Sequence, residues 1–327
     1  MLKNIFYSAL ILTLFSCNNK ENVSNDKTNK DTVYINDYNF IITPDLSNRI
    51  NPNIHPKPVN DTLIIGEIVN NIEDILDYKR KINQSDTYKF DFINKGILNK
   101  SIIDPNNLLI DFSKFDGKQL ELSNYVRNDL GNAILLFKKN TKKVYDYSLE
   151  NPSGSDVWNY LNETVKTSTK KSDLKDITPD DSLEEDPIII KKKENILILI
   201  TDGYLENINN SKGYLLNQGI LNDIRTSFNE SGANDLKEFI ISNGDKFLIK
   251  NTQNNLKDLN ILILELYDRS KNLNGAVKEQ PTDFQIMKII WEKWLLDSGA
   301  KKVNIYPTVD KKEEIKPILL NYLEEIK

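Results

Sequence analysis

Three short segments carry hard oxygen donors: Asp45-Leu46-Ser47-Asn48-Arg49, Ser153-Gly154-Ser155-Asp156 and Thr201-Asp202-Gly203. A few carboxylates and hydroxyls, completed by water, suit Mg2+ or Mn2+. An ion held by so few carboxylates stays electrophilic and keeps a coordination position open to an incoming acid. Other chemistry is scarce. His55 is the single histidine and Cys17 the single cysteine, so two-histidine metal motifs, multi-cysteine zinc or iron–sulfur sites and an intrachain disulfide are excluded. His55 sits in Asn-Ile-His-Pro-Lys-Pro, and no nucleophile-elbow sequence accompanies it, so it reads as a loop residue. Lys and Arg total 43 against 48 Asp and Glu, a net charge of -5, which argues against a nucleic-acid partner.

The elements that must position these donors follow from hydrophobic period. With 327 residues, 39% of them hydrophobic, the chain suits one large core or two small ones. Phe40-Ile41-Ile42 is a buried run leading into Asp45, and a proline-rich loop spans 51–60. Ile64, Ile65, Ile68, Ile72, Ile75 and Leu76 then keep a helical period behind Asp61. Strands are expected at 88–93 and 108–112, and helices at 120–138 and 156–163. Residues 167–186 are polar and charged and read as a surface insertion, with Lys191-Lys192-Lys193 as its solvated margin. The apolar runs 196–200 and 261–266 have the character of central strands covered on both faces. Between them the pattern gives a helix at 221–228 and a hairpin turn at Asn243-Gly244. A helix opening at Asp283 packs Trp291 and Trp294 on its apolar side and ends at Gly299. A strand at 303–306 and a helix at 317–326 close the chain. Strands separated by helices predict an α/β fold with an open, mostly parallel central sheet. Ligands of such sheets lie at the carboxyl ends of the strands, which is where all three donor segments fall.

The N-terminus, MLKNIFYSALILTLFSCNNK, pairs Lys3 with an apolar stretch shorter than the ~20 residues of a spanning helix. Its end, Leu14-Phe15-Ser16-Cys17, resembles the lipobox of a bacterial lipoprotein signal peptide. That resemblance implies removal of residues 1–16, lipidation of Cys17, and a polar tether over 17–33 ahead of a domain spanning 34–327. It implies an extracytoplasmic protein held in the cell envelope by its lipid. Asn18 stands where an inner-membrane retention signal places Asp, which favours the outer membrane.

The donor segments themselves resemble the metal-ion-dependent adhesion site of von Willebrand factor A-like domains, a Rossmann-type three-layer sandwich. Asp45 and Ser47 match the first two positions of D-x-S-x-S, Ser155 the Thr loop, and Asp202 the later Asp behind its apolar strand. The match runs from Tyr34 to the C-terminus, with insertions near 48–60 and 166–190. It implies Asp45, Ser47, Ser155 and Asp202 as ligands of Mg2+ or Mn2+, with Arg49, Ser153, Thr201 and Gly203 around the bound partner. Arg49 departs from the pattern, standing where the second serine of the motif coordinates. A guanidinium has no lone pair to give a cation. Arg49 either points away and leaves a four-ligand site, or pairs with Asp45 or Asp202 in the metal's place. Asp-x-Ser also recurs at Asp111-Phe112-Ser113 and Asp268-Arg269-Ser270, both read as ordinary strand exits.

The resemblance implies a lipid-anchored binding protein rather than an enzyme, recognising a protein partner that presents an acidic residue. Two rivals stand beside it. One is a metal-dependent hydrolase of phosphoester type, the other a scaffold of an envelope assembly whose site is vestigial.

Overall fold

The computed structural model describes residues 31–326 apart from 79–83, 101, 179, 181, 184–185, 207–214, 252 and 273 and the side chain of residue 99. Cys17 and the segments expected to be a signal sequence (1–16) and, for the most part, a tether (17–33) lie outside the described residues. Seven strands form one sheet: β1 (Thr32–Pro44), β2 (Thr87–Phe90), β3 (Leu109–Asp111), β4 (Lys175–Asp176), β5 (Ile188–Ile200), β6 (Leu259–Leu266) and β7 (Lys302–Pro307). Their order is β3-β2-β1-β5-β6-β7, with β4 beside the start of β5. β1, β2, β5, β6 and β7 run parallel, while β3 and β4 pair antiparallel to their neighbours. The expected α/β fold with a mostly parallel central sheet is present.

β1 and β5 pair from Thr32↔Ile188 to Pro44↔Ile200, and their side chains alternate between two cores, as the strand period of two requires. Phe40, Ile42, Ile196, Ile198 and Ile200 face one core with the helices Asp61–Asn70, Leu130–Glu150 and Ile315–Glu325. Ile41, Leu197 and Leu199 face the other, under the helices Gln218–Ser231 and Asp283–Asp297. Burial on both faces explains the unbroken apolar runs. Among the described residues no helix is long and apolar enough to cross a membrane.

Two local expectations are corrected and one is qualified. At Asn243-Gly244 there is no hairpin: Asn243 joins the helices Leu236–Ser242 and Gly244–Phe247, because apolar residues at helical spacing, Ile240 and Phe247 among them, bury against the sheet. The segment 167–186 is partly built in. Lys170 N donates to Asn195 Oδ1 at 2.7 Å, and Asp176 pairs with Ile190 in β4. Lys191 is buried rather than solvated, its ammonium 3.2 Å from Asp37 and 3.0 Å from Asp116, because β1 and β4 flank β5 at this point.

The chain leaves β1 toward β2 on one side and returns to β5 on the other. That reversal opens a crevice at the carboxyl ends of β1 and β5, between Pro44 and Ile200.

Candidate functional site

Asp45 is the first residue beyond β1. Its N–H still donates to Ile200 O at 2.8 Å, so the ladder fixes where the carboxylate emerges. Oδ1 accepts from Ser47 N at 3.0 Å, an Asx turn that folds Ser47 back beside it. The other two Asp-x-Ser segments make the same turn, Ser113 N onto Asp111 and Ser270 N onto Asp268. Only placement separates them. Asp111 ends an antiparallel strand and pairs with Thr87, the start of β2, which lies level with Asn39 and not with the carboxyl end of β1.

On β5 the exit is Thr201-Asp202-Gly203. Thr201 N donates to Leu264 O at 3.1 Å, and its hydroxyl reaches across to Asp45 Oδ2 at 3.2 Å. Gly203 has φ +86, and a Cβ there would lie 2.9 Å from Leu266 Cγ and 3.1 Å from Met287 Sδ, so only glycine fits. The Gly203 carbonyl accepts from the Trp291 indole at 2.9 Å. This is the packing role expected of Trp291, with a hydrogen bond added. Asp202 is thereby held from both sides, with its own Oδ1 accepting from Tyr204 N at 3.2 Å.

Ser155 and Ser153 arrive on the loop before the short helix Val157–Asn159. Asp156 caps that helix, accepting from Asn159 N at 2.8 Å, which leaves the two serines to line the cleft. The result is an open cleft of about 550 Å3 bordered by Asp45, Ser47, Arg49, Ser153, Ser155 and Asp202 together. Thr201 and Gly203, expected around the bound partner, are buried and do not line it.

Burial and the neighbouring Asp45 carboxylate push the Asp202 carboxyl up to about 6, as two carboxylates sharing a buried site do. Among the described residues no group of three or more His, Cys, Asp or Glu gathers as a metal site. The donor set is instead two carboxylates and two serine hydroxyls in one cleft. Those are hard ligands, and a divalent cation would relieve the repulsion between Asp45 and Asp202. By donor type, this set suits Mg2+ or Mn2+.

No family model matches this chain, and no curated protein matches it.

Arg49 takes neither of the cleft carboxylates. Its Nη1 donates to Asp61 Oδ2 at 2.6 Å and to the Asp45 backbone carbonyl at 2.9 Å, and Nη2 donates to Asp61 Oδ1 at 3.2 Å. Asp61 also accepts from Lys57 Nζ at 2.9 Å and Tyr145 OH at 3.1 Å. Burial opposes the charge on both partners of this bridge. Arg49 and then Lys57 outweigh it and hold the Asp61 carboxyl well below its usual value, while Asp61 and then Asp45 hold Arg49 ionised. Arg49 thus braces the loop that carries Ser47 rather than filling the cleft.

His55, Tyr204, Glu206 and Arg269 also line the cleft. Arg269 Nη1 donates to Glu206 Oε1 at 2.9 Å, Nη2 reaches Asp202 Oδ2 at 3.5 Å, and the guanidinium stacks 3.7 Å from the Tyr204 ring centroid. Burial, and next the Arg269 charge, lower the tendency of His55 to protonate. The sequence signal for Arg269 was its position at the exit of β6. That β6 lies beside β5, and so brings Arg269 to Asp202, is a fact of strand order.

Proposed function

We propose that this cleft binds a divalent cation and, through it, an acidic side chain of a protein partner, on a lipid-anchored protein of the cell envelope with a von Willebrand factor A-like domain. The observation that carries this reading is the meeting of Asp45 and Asp202 at the crevice between β1 and β5, with Ser47 and Ser155 in the same cleft. Two carboxylates neutralise a Mg2+ or Mn2+ ion and two hydroxyls complete part of its sphere. The remaining positions fall to water, one of which a partner carboxylate can replace. Arg49, engaged by Asp61, donates to the Asp45 carbonyl and so ties down the loop that carries Ser47.

The test is calorimetric titration of the purified protein with Mg2+ and Mn2+. Wild type should bind one ion, and Asp202→Ala should lose that binding while keeping its fold by circular dichroism. A wild-type protein that takes up neither ion would overturn the reading.

A hydrolytic reading has one observation in its favour. His55, disposed to stay neutral, lines the same cleft, where an imidazole can serve as a general base. Turnover of a generic phosphoester that is lost in His55→Ala would establish it, and absence of turnover at saturating Mn2+ would remove it.

A further inference from the structure

Arg269 stands at the mouth of the cleft on the loop leaving β6, with its side chain one-quarter exposed. Its three contacts are unequal. The bond to Glu206 is short and charge-assisted. The stack on Tyr204 uses the planar face of the guanidinium, and the platform is fixed because Tyr204 OH donates to buried Asp283 at 2.9 Å. The contact with Asp202, at 3.5 Å, is the longest of the three. Glu206 and Tyr204 therefore hold the arginine in place whether or not Asp202 is engaged. Meanwhile its positive charge rests against one of the two carboxylates that a cation would need.

We infer that Arg269 is the resident counter-cation of the cleft: it satisfies Asp202 until a divalent ion displaces it, and it sets the affinity of the cleft for that ion. The inference rests on the reading of the cleft as a cation site. Displacement costs one long contact and leaves the guanidinium anchored at the rim. There its released N–H groups can donate to the carboxylate of a partner bound at the ion. Arg269 then becomes a second determinant of specificity for acidic ligands, in the role that Arg49, committed to Asp61, does not fill.

The experiment is titration of the purified protein with MnCl2 and MgCl2 for wild type, Arg269→Gln, Arg269→Lys and Glu206→Gln, with a thermal melt of each variant. Arg269→Gln removes the competing charge and should bind either ion on the order of tenfold more tightly, a usual size for coupling between two ligands. Arg269→Lys retains the charge and should stay close to wild type. Glu206→Gln frees the guanidinium to move fully onto Asp202 and should weaken binding. In the Arg269→Gln background the same change should have little effect, and this double-mutant cycle reads the coupling even if one single variant loses stability. An Arg269→Gln affinity equal to or below that of wild type overturns the inference and leaves the cation site standing. Absence of binding in wild type overturns the cation site and the inference with it.

Discussion

The Thr201 hydroxyl donates to Asp45 Oδ2 at 3.2 Å, joining the carboxyl ends of two strands 156 residues apart in the chain. The Thr201 hydroxyl oxygen also accepts from Gly203 N at 3.3 Å, so one buried side chain orients the carboxylate after β1 and the turn that presents Asp202 after β5. Thr201→Val keeps the shape and removes both bonds. Leaving buried polar partners unmade costs ~1–3 kcal/mol, and chemical denaturation should show a loss of that size. Titration of the variant should show weakened Mn2+ binding, because Asp45 is no longer held toward Asp202. A variant with wild-type stability and affinity would mean that the bond orients nothing.

Trp291 couples the core to the same turn. Its indole donates to Gly203 O at 2.9 Å while the ring packs against Trp294, centroids 5.1 Å apart. Trp291→Phe keeps an aromatic ring but orphans a buried carbonyl, with an expected cost of ~2 kcal/mol. The cation affinity should fall as well, although Trp291 does not line the cleft. A loss of stability with unchanged affinity would confine Trp291 to packing.

Asp61 carries two buried cations, Arg49 and Lys57, on one carboxylate. Asp61→Asn leaves both with a neutral partner, and removing one member of a buried pair costs ~3–5 kcal/mol. Unfolding in urea should register this as the largest single loss among the variants considered. A change below ~1 kcal/mol would mean that water solvates the cluster more than its burial implies.

Glu265 gives stability a pH dependence of determinate sign. It is fully buried, has φ +73 at an irregularity in the pairing of β6 with β7, and keeps one bond, accepted from Val309 N at 3.1 Å. Its Oε2 is buried without a partner in the structure. Burial first, and the Asp61 charge next, raise its carboxyl from 4.5 to about 7. A group raised on folding contributes its full stability below the unfolded value and loses it as pH rises through the folded value. Wild type should therefore lose stability relative to Glu265→Gln between pH ~4.5 and ~7, by at most ~1.4 kcal/mol per pH unit, and level off above. The difference between the two denaturation curves isolates this residue from Asp202, which acts in the same direction, and from His55, which opposes it. A flat difference across that window would remove Glu265 from the account.

Some of this was legible in the residues alone. The apolar runs at 40–42, 196–200 and 261–266 identified β1, β5 and β6, because strands covered on both faces have no polar side to show. Thr201-Asp202-Gly203 and Asp45-Leu46-Ser47 marked the strand exits that border the cleft. The hairpin expected at Asn243 failed because two residues of turn chemistry were outweighed by apolar spacing that buries two helices. Lys191 was misplaced for a related reason, since a charged run reads as surface until Asp37 and Asp116 are found beside it.

The amino-acid sequence by itself determined the α/β class, the central strands and the oxygen-donor loops at their ends, because those depend on local period and residue type. Tertiary structure decided the partners: Arg49 with Asp61, Arg269 with Asp202, His55 and Glu206 at the rim. Charge pairing depends on which strands are neighbours and which side chains lose their water, and neither is encoded at short range along the chain.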